Sequence, residues 1–197
     1  RGNIPEALAT YDHLTKIAPK DPQAPYLMGV LYRQQNKTNE ARAAYEKSLE
    51  IAPTFVAPID DLIDLDLLAN DYPAAAKRVD GYIEKYPDRP APWWFRAKIL
   101  ASQNKVDEAE TALKKALEFD PDYQPAQQSL ARLYISGGKP AEAIAKLEAV
   151  VQKNPRDYRS IFQIAQLYEG MGNTEKAIAA YNQCLEINRR YGPALNN

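Results

Sequence analysis

The chain has 197 residues, 45% of them hydrophobic and 26% charged, with 25 basic against 26 acidic side chains and a net charge of −1. That length is enough to bury a substantial core, and so balanced a charge lacks the global attraction of a nucleic-acid binder. A lone Cys184 and a lone His13 leave no internal disulfide, no cysteine zinc cluster and no His-rich metal site, and no apolar run nears the roughly 20 residues of a membrane span.

Cut every 34 residues, the sequence aligns into three columns. Gly2, Asn36, Asn70, Asn104, Gly138 and Gly172 form the first, Ala7, Ala41, Ala75, Ala109, Ala143 and Ala177 the second, and Pro19, Pro53, Pro87, Pro121 and Pro155 the third. Gly and Asn enter the left-handed conformation most readily, so the first column predicts the turn that closes a helix. The small alanine lets a second helix approach the first closely. Proline, without an N–H, then stops that second helix. Apolar residues three and four apart in "AEAIAKLEAVV" and "EKAIAAYNQCL" agree with amphipathic helices, and no segment alternates as a strand does.

In chain order, residues 1–21 read as the turn and second helix of an incomplete unit, with His13 as a surface residue. Residues 22–55, 56–89, 90–123, 124–157 and 158–191 read as whole units, and 192–197 as the start of another first helix. The expectation is a piece of a longer array. Asp21 before Pro22 predicts a capped helix start. The stretch "IDDLIDLDLLAND", residues 59–71, holds five aspartates. It predicts a first helix whose Ile59, Leu62, Ile63 and Leu65 face the stack, while Asp60, Asp61 and Asp64 share another face. An EF-hand loop fails because the helix continues without the turn-forming glycine. The Gly137–Gly138 pair is a helix turn, and Cys184, in place of a small residue, reads as a buried inert thiol.

These columns resemble the tetratricopeptide repeat family. The unit from Tyr158 carries Ile161, Ile164, Ala165, Tyr168, Ala177, Tyr181 and Cys184, with Arg189 instead of proline; the unit from Pro22 carries Met28, Gly29, Tyr32, Ala41, Tyr45, Ser48 and Pro53; and Trp93 takes the Trp-like place in the unit from Pro90. Pentatricopeptide repeats have a similar helix pair, but a period near 35 and a basic RNA-binding face are expected there. The resemblance implies an all-α, right-handed α-solenoid of tandem helix-turn-helix repeats, with a groove lined by the first helices. It further implies that the second, fifth, ninth and twelfth residues of each unit face that groove.

On that basis Tyr26, Asp60, Trp94, Gln128 and Phe162 lie in one row, and Val30, Asp64, Lys98, Arg132 and Gln166 in the next, with Arg33, Asp61, Arg159 and Glu169 beside them. Tyr26, Trp94 and Phe162 are candidate anchors for a partner, since exposed aromatics dominate binding energy; the alternative for Trp94 is packing against the next helix. Asp64 lies one unit from Lys98, which can answer part of the local acidity. The chaperone-tail binders' lysine at the fifth place and asparagine at the ninth are absent, as is an asparagine ladder at the sixth, where Leu27, Asp61, Phe95, Ser129 and Gln163 stand.

Two charges break the apolar pattern, Asp66 at the eleventh place and Arg96 at the seventh, and the expectation is an ion pair between them. The functional expectation is a protein–protein interaction module that holds a peptide or helical segment, with an acidic spot offered to a basic or mixed-charge partner. The alternative is a passive scaffold or end-to-end self-association region of a larger enzyme or envelope assembly. No catalytic residue, metal, cofactor or nucleic acid is expected; a soluble setting, cytoplasmic or periplasmic, is left open.

Overall fold

Asn36, Asn70, Asn104, Gly138 and Gly172 hold positive φ of 59°, 56°, 59°, 68° and 75°. This is the left-handed region that L side chains other than Asn rarely enter. The structure, a computed structural model, describes residues 3–189 and Ala194. The Gly2 turn and, Ala194 apart, the helix start expected over 192–197 lie outside the described residues. At every described turn the next residue's N–H reaches five residues back: Lys37 to Tyr32 (3.0 Å), Asp71 to Asp66 (2.8 Å), Lys105 to Leu100 (2.9 Å), Lys139 to Tyr134 (2.9 Å) and Asn173 to Tyr168 (2.8 Å). These bonds satisfy carbonyls the helix end leaves open, and they turn the chain directly into the next helix.

The elements are α1 (Ile4–Ile17), α2 (Gln23–Gln34), α3 (Thr38–Ile51), α4 (Val56–Leu68), α5 (Tyr72–Lys85), α6 (Pro90–Ser102), α7 (Val106–Phe119), α8 (Gln124–Ser136), α9 (Pro140–Lys153), α10 (Tyr158–Gly170) and α11 (Thr174–Ile187). Among the described residues there is no strand. The fold is all-α, built of tandem helix-turn-helix pairs, the class of α-solenoids. Contacts divide the chain into two compact units, Arg1–Arg78 and Val79–Asn197, with the boundary inside α5.

In the first unit, Ala41, Tyr45, Leu62 and Leu65 form the core, with Tyr26, Val30, Tyr32 and Leu49 packed around it. Ile59, Leu62, Ile63 and Leu65 of α4 are all buried, as their spacing predicts. Gly29 of α2 is small because the Tyr45 ring lies on it: a Cβ there would sit 2.5 Å from two ring carbons. Ser48 donates to the Pro22 carbonyl (2.7 Å), tying the end of α3 to the start of α2. Asp21, one residue before Pro22, the N-cap of α2, accepts from Gln23 N–H (2.9 Å) and so satisfies one of the open donors of that helix end. Asp71 accepts from Ala74 N–H (3.0 Å) and caps α5.

In the second unit, Ala97, Ala109, Ala112, Leu113, Ala116, Ala126, Leu130 and Leu133 form one cluster; a second is built on Ala131, Ile161, Phe162, Ala165, Leu167, Ala177, Tyr181 and Cys184. The column alanines of the whole pairs, Ala41, Ala75, Ala109, Ala143 and Ala177, are 3% exposed or less. Proline has a role beyond stopping a helix. The Pro87 carbonyl accepts from the Trp93 indole (3.2 Å) and the Pro121 carbonyl from the Gln127 amide (2.8 Å), each six residues ahead. The loop is thereby fastened to the helix that follows it.

The expected Asp66–Arg96 pair is replaced by partners within each unit. Asp66, 1% exposed, is held by Arg42 of α3 at 2.6 Å and by Arg78 of α5 at 3.4 Å; Arg78 also lies 3.7 Å from Glu46. Arg96 instead binds Asp80. The physical reason is reach: an arginine on each flanking second helix extends to Asp66, which therefore sits between two guanidinium groups. Asp66→Ala leaves both largely unanswered and is expected to lower stability by about 3–5 kcal/mol, read as a fall in the urea midpoint. Gly29→Ala, which drives a methyl into Tyr45, is expected to cost about 1–3 kcal/mol in the same measurement.

Candidate protein-binding surface

The fifth and ninth residues of the repeats lie at the margins of the clusters or on the surface in most repeats, and each unit treats them differently. In the first unit, Tyr26 is half-buried, its ring 5.2 Å from Phe55 and 5.9 Å from Tyr45. Burial raises the pKa of its hydroxyl, and the neighbouring Asp61 carboxylate raises it further. Arg33 pairs with Asp61 and reaches Asp64 at 3.8 Å. A guanidinium thus occupies the place a cation would take among these carboxylates. Burial nonetheless lifts the Asp61 carboxyl above its ordinary range, against the pull of Arg33. Asp60 is half-buried beside them. Tyr45, whose hydroxyl is buried without a hydrogen-bond partner, is pushed up to about 12 by burial.

In the second unit, Trp94 is half-buried and fixed on several sides. Its indole N–H donates to Ser129 Oγ at 2.9 Å, its ring meets Tyr123 edge-on at 6.2 Å, and the Lys98 ammonium lies 5.6 Å above it. Trp94 thus packs against the next first helix, as the alternative reading expects, while part of it stays open to solvent. Gln128 and Arg132 of α8 are exposed. Gln166 of α10 is half-buried, with a buried Oε1 that has no hydrogen-bond partner.

Phe162 departs from the expectation. At the register of Tyr26 and Trp94, it is 1% exposed and packs on Tyr181 at 5.7 Å, so it is core and not an anchor. Tyr and Trp carry a polar edge that must reach a partner; Phe has none and buries completely. Arg159 is likewise occupied, forming a two-pronged pair with Asp122 (one contact 2.5 Å) and stacking on the Tyr158 ring at 4.9 Å. Glu169 accepts from the Tyr181 hydroxyl at 2.7 Å.

Ser129 and Asp122 are the residues that sequence reasoning missed. The signal for Ser129 was one of register: it stands 35 residues after Trp94, as Asp61 does after Tyr26, whereas Asp122 carried no such signal. A fifth-place aromatic therefore meets the sixth place of the next repeat. The acidic run 59–71 resolves into separate roles, with Asp61 and Asp64 on Arg33, Asp66 in a buried clamp and Asp71 as a cap. Among the described residues, no group of three or more His, Cys, Asp or Glu is placed to hold a metal ion.

A run of helix pairs, each closed by a left-handed turn and packed through a small alanine, defines a helical-repeat protein. Four family profiles, each described as tetratricopeptide repeat, match residues 26–55, 61–123, 126–157 and 158–191, and the chain belongs to the tetratricopeptide repeat family. It is 26% identical over 159 residues to human "Superkiller complex protein 3", covering 80% of this chain and 10% of that protein. It is 25% identical over 193 residues to "Anaphase-promoting complex subunit 7" of Dictyostelium discoideum, covering 98% of this chain and 33% of that one. The chain thus spans only a tenth to a third of these relatives. Yeast Tom70 superposes with a TM-score of 0.68 at 20% identity over 100% of this chain and 42% of its own, a likeness of fold. No described helix is long and apolar enough to cross a membrane.

Cys184 is buried, and its thiol donates to the Tyr158 carbonyl at 3.4 Å. Burial pushes its pKa up to about 11 from 9.0. Folding therefore opposes thiolate formation. The resulting stability is full below pH 9.0 and is lost as pH rises toward about 11. The native protein is expected to resist Ellman's reagent at pH 8 and to react once unfolded in urea. Between pH 9 and 11 its urea midpoint should fall further than that of Cys184→Ala.

Proposed function

We propose that this chain is a protein–protein interaction module whose first helices hold a peptide or helical segment of a partner. The observation that carries this reading is Trp94: a large aromatic, partly open, and locked by Ser129, Tyr123 and Lys98 before any partner arrives. Pre-fixing such a side chain removes an ordering cost from binding, and indoles are prominent among the residues that dominate binding energy. Family membership supports protein partners. In the second unit, Lys98, Gln128, Arg132 and Gln166 complete the proposed surface around Trp94, with Arg159 committed to Asp122; in the first unit, Tyr26, Asp60, Asp61 and Asp64, with Arg33 among them, form a proposed patch of their own.

The segment is proposed to bind without catalysing. Cys184 is sealed in the core with a raised pKa, and His13 stands exposed on α1, so neither is set as an activated nucleophile or a buried base. A second reading is a scaffold within a larger assembly, favoured by relatives whose printed names place them in complexes. The exposed Leu14 and Ile17 of α1 also favour it.

Panning a random peptide library over the immobilised chain separates the two. The interaction reading expects peptides whose affinity falls about tenfold or more in Trp94→Ala, which corresponds to about 1.4 kcal/mol or more. The scaffold reading expects no such peptide, and instead a sedimentation coefficient that rises with protein concentration in the absence of ligand.

A further inference from the structure

The 27th residue of a whole repeat lies late in its second helix, and four repeats seal it. Ser48, Tyr82, Ala116 and Cys184 hold that place and are 8% exposed or less. Ser48 and Cys184 also bond to the carbonyl at the start of their own first helix. In the repeat 124–157 the place falls to Val150 of α9, which has no donor for such a bond and is 44% exposed. Leu147, one turn earlier, is only half-buried, whereas Tyr45, Val79, Leu113 and Tyr181 at its register are sealed. The later part of α9 is therefore open where the other second helices are closed.

A groove of about 380 Å³ lies at this place between α7, α8 and α9. Its apolar walls include Leu117, Leu130, Tyr134, Leu147 and Val150. Lys114 and Lys146 also line it, near the carboxylate of Glu110, which accepts from the Tyr134 hydroxyl at 2.8 Å and pairs with Lys114 at 2.7 Å. Burial works to raise the Glu110 carboxyl, but the bonds from Lys114 and Tyr134 and the charges of Lys114 and Lys146 hold it below its ordinary value. The remaining polar groups on the groove are Glu118, answered by Lys115 at 3.1 Å, and Gln163. Three ammonium groups thus stand against two carboxylates, an excess of positive charge beside an apolar slot.

We propose that this groove binds a small amphiphile with an anionic head, its hydrocarbon chain lying along Leu117, Leu147 and Val150 and its head meeting Lys146 and Lys114. The site shares no residue with the surface around Trp94, and it stands whether or not that surface holds a partner. Each methylene taken out of water strengthens binding about fourfold, so a short chain suffices for measurable affinity. A peptide segment fits less well. Among the described residues, the buried side-chain polar atoms left without a partner belong to Tyr45 and Gln166, which lie elsewhere. The slot therefore has nothing waiting to bond a peptide N–H or C=O, and desolvating those groups costs affinity that a hydrocarbon chain does not lose.

The test titrates the whole chain, labelled at its leucine and valine methyl groups, with decanoate, octanoate, decan-1-ol and decyltrimethylammonium, each below its aggregation concentration. Decanoate is expected to give saturable NMR shifts at the Leu117, Leu147 and Val150 methyls. It should bind about threefold or more tighter than decan-1-ol, with decyltrimethylammonium weakest. Octanoate, two methylenes shorter, should bind about tenfold weaker than decanoate. Lys146→Gln is expected to shrink the advantage of decanoate over decan-1-ol, and Val150→Asp to abolish decanoate binding. Both residues are exposed, so the variants should keep the wild-type circular dichroism; Lys146→Gln decides the matter by itself should Val150→Asp fail to fold. The inference is overturned if decanoate gives no saturable shift at these methyls, if the three ten-carbon probes bind alike or the cationic one binds best, or if binding survives a folded Val150→Asp. It also fails if a pool of apolar and acidic decapeptides binds these methyls more tightly than decanoate, which assigns the groove to a protein partner. Shifts at the same methyls on concentrating the free chain would assign it to a second copy instead, and likewise overturn the inference.

Discussion

The left-handed residue that closes each first helix is the constraint on which the rest of the structure depends. Asn36, Asn70, Asn104, Gly138 and Gly172 each allow the following N–H to reach a carbonyl five residues back, which starts the second helix in a fixed direction and register. Given that register, an alanine always arrives where two helices are nearest. The same register sets which first-helix residues enter the core and which are left at its margin. A turn that lost the left-handed conformation would displace all of these together.

Within that frame the chain resolves its charges locally. Asp66 is enclosed between arginines from the helices on either side, an arrangement that is costly to bury and more costly to break, so it fixes α3, α4 and α5 against one another. Arg159 and Asp122 similarly tie α10 to the loop before α8. Ser48 and Cys184 show how one register accommodates different chemistry. Each sits late in a second helix and donates to the carbonyl at the start of its own first helix, one through a hydroxyl and the other through a thiol.

Sequence alone conveyed the turns, the alanine contacts, the helix order and the apolar face of α4, because each depends on backbone conformation or residue size at a periodic position. It did not convey side-chain destinations. Asp66 and Arg96 were both visible as misfits, but their partners were settled by how far Arg42, Arg78 and Asp80 extend. Tyr26, Trp94 and Phe162 share a register and still differ in exposure, because a polar ring edge seeks a partner while a phenyl ring does not. The proline column was legible as a helix stop; the use of its carbonyl by Trp93 and Gln127 was not, since only two repeats carry a suitable donor there.

The two tryptophans make the central claim directly observable. Their indole N–H groups have different acceptors, Pro87 for Trp93 and Ser129 for Trp94, so an amide-type NMR spectrum should resolve two indole resonances. On titration with a peptide that binds the chain, the account predicts that the Trp94 indole shifts while that of Trp93 stays in place. A peptide that binds and moves Trp93 alone, or neither indole, would contradict it.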